Sequence, residues 1–128
     1  MEKMLSRLAP ACYVLLRIVS GVLFACHGAQ KLFGVLGGHV VPYLSQAGAA
    51  GAIELVCGVL IAVGLFTRYA AFLASGEMAV AYFQVHASGG FWPVVNHGEL
   101  AVIYCFLFLY LSARGPGMAA ADTMRGAR

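Results

Sequence analysis

Four apolar segments, each close to the length that crosses a bilayer, dominate the 128-residue chain. They run over residues 11–33, 49–66, 69–87 and 97–113, and a spanning helix needs about 20 such residues. Only 10% of the residues are charged whereas 62% are hydrophobic, which leaves too little polar surface for a water-soluble globule. The sequence therefore predicts one all-α domain over residues 1–128, an integral membrane four-helix bundle in contact with the lipid bilayer.

The orientation of this bundle is predicted from its basic residues. When the segments alternate sides, Lys31 falls on one side. The other side carries Lys3, Arg7, Arg68, Arg114, Arg125 and Arg128. Because Lys and Arg concentrate in cytoplasmic loops, both the N- and the C-terminus are expected in the cytoplasm. The net charge of +3 comes from dispersed residues, so no nucleic-acid partner is indicated.

Two spacing patterns predict how the helices meet. Only Thr67 and Arg68 separate the second and third segments, so these two helices should form an antiparallel hairpin. Small residues recur at four-residue spacing, at Gly21 and Ala25 and again at Gly58 and Ala62. Such residues let helix backbones approach closely.

Each predicted helix carries an ionisable residue that hydrocarbon disfavours, in chain order Arg17, Glu54, Glu77 and Glu99. A charge near the bilayer centre costs at least about 2.5 kcal/mol, so these side chains should turn inward. Arg17 and Glu77 fall about 9 Å and about 12 Å from the same membrane face. We expect a buried ion pair between them that fixes the helix register, with a transport or proton-relay role as the alternative.

The outer half of the predicted bundle collects a candidate polar pocket made of His27, Lys31, Glu54, His86, His97 and Glu99. Glu54 and Glu99 could hold a proton between them, or Lys31 could neutralise one of them. This pattern is compatible with a functional polar pocket and also with side chains that only pack within the bundle. No ligand spacing repeats within a helix, so no metal site is predicted. A b-type haem held by His27 and His86 is the less favoured cofactor, and a quinone is the more favoured one.

Several short motifs occur in an order and spacing that are characteristic of a known family. They lie at residues 16–17, 27–34, 54–58, 64–68, 96–101 and 115–117. Together they resemble the DoxX family of small bacterial membrane proteins, most clearly in the run HGAQKLFG at 27–34 and in NHGELA at 96–101. His97 departs from the family pattern, so the resemblance implies no ligand role for its imidazole.

The resemblance implies a multi-pass protein of the bacterial inner (plasma) membrane that associates with redox enzymes. A similar membrane subunit belongs to thiosulfate:quinone oxidoreductase. We therefore expect an accessory or quinone-facing subunit of a membrane oxidoreductase complex, with other membrane or redox subunits as partners and a homo-oligomer as a further state. A structural subunit without redox chemistry of its own and a small anion or thiol transporter are the alternatives. The sequence leaves open whether the chain is itself an enzyme.

Overall fold

The computed structural model describes residues 1–126, and every regular element in that range is helical. The α-helices are α1 (Glu2–Phe33), α2 (Gln46–Val63), α3 (Thr67–Ala81), α4 (Pro93–Asn96), α5 (Glu99–Arg114) and α6 (Ala121–Met124). A π-helical turn (Tyr82–His86) and a 3-10 turn (Ala87–Gly89) continue α3. The predicted all-α class is confirmed. Arg128, which contributed to the predicted orientation, lies outside the described residues.

Two of the described helices, α1 and α2, are long and apolar enough to cross a membrane. Helices α3 and α5 have 15 and 16 residues, fewer than the roughly 20 that a spanning helix needs. The π-helical and 3-10 turns lengthen the helical stretch of α3 as far as Gly89. The arrangement of four spans stays a prediction.

All four long helices start two or more residues from the predicted boundaries, and local sequence explains two of these differences. Helix α1 begins at Glu2 rather than at residue 11, because the Glu, Lys and Arg residues that precede the apolar segment are good helix formers. Helix α5 begins at Glu99 rather than at residue 97. His97 adopts a left-handed backbone with a φ of 60°, which ends α4 and turns the chain into α5.

Helices α1 and α2 meet backbone to backbone along their small residues. A Cβ atom added at Gly21 would lie 2.6 Å from the backbone nitrogen of Ala62. One added at Gly58 would overlap the backbone nitrogen of Ala25. Only glycine allows this close approach, which is the type of contact expected between membrane helices. The predicted role of the small residues is confirmed for this pair of helices.

Helices α3 and α5 form a second pair, which larger side chains connect to the first. Within this pair, the Ser75 hydroxyl donates to the Cys105 carbonyl oxygen at 2.7 Å. Between the pairs, Phe24 of α1 packs against Tyr104 and Phe108 of α5, with ring centroids 5.4 Å and 4.7 Å apart. The predicted hairpin of α2 and α3 is confirmed, and we call the end of the molecule that carries it the turn end.

Residues 115–125 fold back across the turn end, and we call this segment the C-terminal clasp. Arg17, which is only 1% exposed, donates to the carbonyl oxygens of Pro116 and Ala119 in the clasp, the latter at 2.7 Å. The predicted ion pair of Arg17 with Glu77 is therefore wrong. The guanidinium has several donors in a fork, and the clasp supplies several carbonyl acceptors to it, whereas Glu77 lines a cavity elsewhere.

Asp122 fastens the clasp to the start of α3. Its two carboxylate oxygens accept hydrogen bonds from the backbone amides of Phe66 at 2.8 Å and Thr67 at 2.9 Å, at a helix start that leaves such amides unpaired. Burial by itself would raise the pKa of Asp122, but the hydrogen bonds from Thr67 and Phe66 outweigh burial and hold the pKa below its ordinary value. The clasp and the hairpin are thereby joined.

Candidate functional site

A cavity of about 960 Å³ lies between the two helix pairs, at the end of the molecule opposite the turn end. We call this end the cavity end. The cavity walls are mostly apolar. The polar side chains that line it are His27, Lys31, Gln46, Glu54, Glu77, Gln84, His86, His97 and Tyr104. Small-molecule sites have volumes of about 300–1,000 Å³, so a ligand of moderate size would fit.

Lys31 of α1 and Glu54 of α2 form an ion pair in the cavity wall, with 2.6 Å between Nζ and Oε1. Glu54 is 2% exposed, and its second oxygen, Oε2, is buried without a hydrogen-bond partner. A buried carboxylate is costly unless it is paired and hydrogen-bonded. Lys31 satisfies one oxygen of Glu54 and leaves the other able to accept a hydrogen bond from a ligand.

Glu77 lines the same cavity from α3. Its Oε2 atom is also buried without a hydrogen-bond partner. Buried polar atoms without partners are rare in folded proteins, and each calls for an explanation such as a bound group or a chemical role. Two of the four such atoms in residues 1–126, one on Glu54 and one on Glu77, lie at this cavity, where a ligand or a proton could pair with them. The other two, Nε of Arg17 and Oγ1 of Thr67, lie at the turn end.

Three histidines also line the cavity. The ring of His27 packs edge-on against Tyr104, with centroids 6.3 Å apart. The Nδ1 atom of His86 lies 3.3 Å from the Asn96 carbonyl oxygen, which leaves its other ring nitrogen for another partner. The structure thus brings together five of the six predicted pocket residues, namely His27, Lys31, Glu54, His86 and His97.

Glu99, the sixth predicted pocket residue, lies apart from the cavity. It is exposed in the first turn of α5 and lines a separate recess with Val94 and Leu100. A carboxylate in the first turn of a helix is stabilised by the positive end of the helix dipole, which explains this position. Glu99 therefore does not share a proton with Glu54, which forms its ion pair with Lys31 instead.

The sequence pattern missed Gln46, Gln84, Tyr104 and the placement of Glu77 at this cavity. Gln46 donates a hydrogen bond from Nε2 to Oε1 of Gln84, which joins the start of α2 to the π-helical turn. Single-turn π-helices within α-helices occur frequently at functional sites. Nothing in the local sequence marks the π-helical turn, so the position of Gln84 could be found only from the fold.

The cavity offers a chemical fit to a quinone. Carbonyl oxygens need hydrogen-bond donors, which Lys31 and Tyr104 provide, and an aromatic ring suits the apolar walls. The unpartnered carboxylate oxygens of Glu54 and Glu77 are acceptors for a hydroxyl group or sites for a proton. Over residues 1–126, no group of three or more His, Cys, Asp or Glu side chains is placed to hold a metal ion.

The fold and the cavity define a helical membrane protein with ionisable side chains in its interior. A family model for DoxX matches residues 12–87, and the chain belongs to the DoxX family. The matched range includes α2, α3 and most of α1, the helices that carry Lys31, Glu54 and Glu77. No solved structure matches the chain significantly.

Two relatives align with most of the chain. A protein of Haemophilus influenzae, named only as uncharacterized, is 41% identical over an alignment of 125 positions that covers 92% of this chain and 93% of that protein. The "Putative oxidoreductase CatD" of Bacillus subtilis is 28% identical over an alignment of 114 positions that covers 85% of this chain and 83% of that protein. The chain is thus similar to a protein whose name refers to redox chemistry.

Proposed function

We propose that this DoxX-family membrane protein is a quinone-facing accessory subunit of a membrane oxidoreductase complex. The observation that carries this proposal is the pair of buried, unpartnered carboxylate oxygens of Glu54 and Glu77 in one cavity beside the cationic Lys31. Ionisable residues inside a membrane protein are costly and are usually functional. The similarity to a protein named as an oxidoreductase supports a redox setting.

The side chains of the cavity have distinct parts in this function. A bound quinone supplies redox chemistry that couples electrons to protons. Lys31 and Tyr104 donate hydrogen bonds that orient the head group, and Glu77 holds a proton beside it. Phe24 and Ile53 contribute apolar surface that excludes water. The side chains present here do not carry electrons unaided, so the partner subunits of the complex deliver the electrons.

The proposal includes a membrane topology. Helices α1, α2 and α5, together with α3 and its continuation to Gly89, each cross the bacterial inner membrane, with both termini in the cytoplasm. Arg68, Arg114 and Arg125 support this orientation because all three lie at the turn end, where they contact α5 or an aromatic ring. Lys31 lies at the cavity end instead. Within residues 1–126, and unlike the three arginines, it forms an ion pair with a carboxylate, that of Glu54.

A structural subunit of a larger membrane complex is the second candidate function. Aromatic side chains, which are enriched at protein interfaces, favour it because five of them are exposed on α3, on the π-helical turn that continues it and on α5. They are Tyr69, Phe72, Phe83, Phe106 and Tyr110. In this case the replacement of Glu54 or Glu77 by Gln would reduce the amount of assembled complex and leave the turnover of each complex unchanged.

The experiment that tests the quinone function is binding of decylubiquinone to the purified protein in lipid nanodiscs, corrected with empty nanodiscs. Glu54→Gln and Glu77→Gln should each weaken binding by about tenfold, or about 1.4 kcal/mol, because Glu54→Gln releases Lys31 from the ion pair that positions it and Glu77→Gln replaces the acidic O–H donor to a head-group carbonyl with a weaker amide donor. Glu99→Gln is the matched control and should bind like the wild type, since Glu99 lies outside the cavity. The proposal fails if the wild-type protein binds no quinone or if Glu99→Gln is as damaging as the cavity variants.

A further inference from the structure

The cavity is open along its side, between α2 and α3. On α3, Phe72, Gly76 and Val80 line the cavity and are also exposed. Their four-residue spacing places them on one stripe of the helix. On α2, the exposed residues Gln46 and Ala49 line the cavity from the other side. Residues that line a cavity and are also exposed mark its opening, so a lateral cleft runs between these two helices.

Gly76 forms a gap in the α3 side of this lateral cleft. A Cβ atom added at Gly76 would meet no atom within 4 Å, in contrast to Gly58, where the same addition overlaps the backbone of α1. Gly76 lies about 14 Å along the helix from Thr67, near the middle of the helical stretch that ends at Gly89. Glu77, which carries one of the unpartnered carboxyl oxygens, is the next residue of α3 and lines the same cavity.

The surroundings of the lateral cleft are apolar. Phe72 is 66% exposed, Leu73 is 51% exposed and Val80 is 50% exposed, and in a membrane protein such side chains contact hydrocarbon. The hydrogen bond between Gln46 and Gln84 joins α2 to the π-helical turn, so the polar side chains of the cleft lie toward the start of α2. Around Gly76 the side chains are apolar, which favours the entry of hydrocarbon-soluble molecules there.

We infer that the ligand is a long-tailed amphiphile whose polar head lies by Glu54 and Glu77 and whose apolar tail leaves the cavity through the lateral cleft at Gly76. This inference rests on the proposed quinone function and narrows the ligand to the lipid-soluble class. A cavity of about 960 Å³ has room for more than one aromatic ring. The first part of the tail occupies the remaining apolar space.

Gly76→Leu tests this inference because it adds a side chain at the cleft from a position whose Cβ atom would have no neighbouring atom within 4 Å. We would measure the Kd of decylubiquinone, and of the same benzoquinone without its alkyl tail, for protein in nanodiscs. Gly76→Leu should weaken the binding of decylubiquinone by about tenfold and should leave the Kd of the tail-free quinone unchanged. Ala52→Leu adds the same side chain at an exposed α2 position outside the cavity, and it should change neither Kd.

The possible results separate this inference from the proposed function. Retained binding of the tail-free quinone by Gly76→Leu shows that the variant is folded. The inference is overturned if Gly76→Leu leaves the Kd of decylubiquinone unchanged or if it weakens both quinones equally. It is also overturned, while the quinone function survives, if the wild type binds only the tail-free compound. If the wild type binds neither compound, the proposed function itself is overturned.

Discussion

At the turn end, the buried side chains of Arg17 and Asp122 are bonded to main-chain groups of the clasp and of α3, whereas at the cavity end Glu54 and Glu77 each keep a buried oxygen without a partner. Both ends place charge inside an apolar protein, which is costly in either case. At the turn end, main-chain partners offset most of that cost, although Nε of Arg17 is also without a partner. At the cavity end, under the proposed function, a ligand or a proton offsets the cost. The comparison thus contrasts a charge held by the main chain with one proposed to be available for binding.

The largest expected difference in the free energy of unfolding is between Gly→Leu substitutions at two glycines, Gly58 in the packed contact of α1 with α2 and Gly76 in the lateral cleft. Gly58→Leu should lower the free energy of unfolding by at least about 3 kcal/mol, because the backbone of α1 occupies the space that the side chain needs. Gly76→Leu should change it by less than about 1 kcal/mol, since the space is open and Leu favours a helix more than Gly does. Unfolding in SDS, followed by circular dichroism, measures both. Equal losses would contradict the existence of an open cleft at Gly76.

The second prediction compares one charged residue from each end. Arg17→Met should lower the free energy of unfolding by about 2–3 kcal/mol, because the carbonyl oxygens of Pro116 and Ala119 lose their donor. Glu77→Gln should change it by less than about 1 kcal/mol, since its buried Oε2 atom makes no hydrogen bond that could be lost. The same SDS titration serves here. If Glu77→Gln lowers the free energy of unfolding as much as Arg17→Met does, Glu77 stabilises the fold as Arg17 does. The proposed difference between the cavity end and the turn end would then be wrong.

A smaller effect is expected at the clasp. Asp122→Asn should lower the free energy of unfolding by about 1 kcal/mol at neutral pH, because the two amides at the start of α3 lose a charged acceptor. The pKa of Asp122 is held below its ordinary value of 3.8 in the folded protein. The stabilisation is therefore present above pH 3.8 and is lost as the pH falls through the lower folded pKa.

The measurement for Asp122 is the Tm of the wild type and of Asp122→Asn across a pH series in detergent. The difference in Tm should be constant near neutral pH and should shrink below about pH 3.8. Glu2→Gln, at an exposed position at the start of α1, is the control and should leave Tm unchanged. A difference for Asp122→Asn that does not vary with pH would show that its carboxylate charge does not hold the clasp.

The fold class, the hairpin and the close contact of α1 with α2 could be predicted from the sequence because they depend on local patterns. Hydropathy defines the apolar segments, and the spacing of Gly21 and Ala25 defines a small-residue stripe. The heights of Lys31 and Glu54 along their helices could also be counted from the rise per residue. These heights placed most of the pocket residues at the correct end.

Rotation about the helix axes and the path of the C-terminal segment could not be predicted. Counting residues gives height but not direction, so Glu99 was assigned to the pocket although it faces another side of the molecule. Glu77 was assigned to Arg17 by the same reasoning. The clasp that binds Arg17 consists of main-chain carbonyls, which leave no mark in the side-chain pattern.

The availability of Glu77 to a hydrocarbon-soluble molecule can be measured directly with dicyclohexylcarbodiimide, an apolar reagent that modifies buried carboxyl groups. The chain has only five carboxyl-bearing side chains, Glu2, Glu54, Glu77, Glu99 and Asp122, so mass spectrometry of peptides can assign every adduct. We expect modification at Glu77, protection of Glu77 by decylubiquinone, and little modification of Glu54, which Lys31 holds in an ion pair. An unreactive Glu77, or one that reacts equally fast in saturating decylubiquinone, would contradict a ligand site at the cavity end.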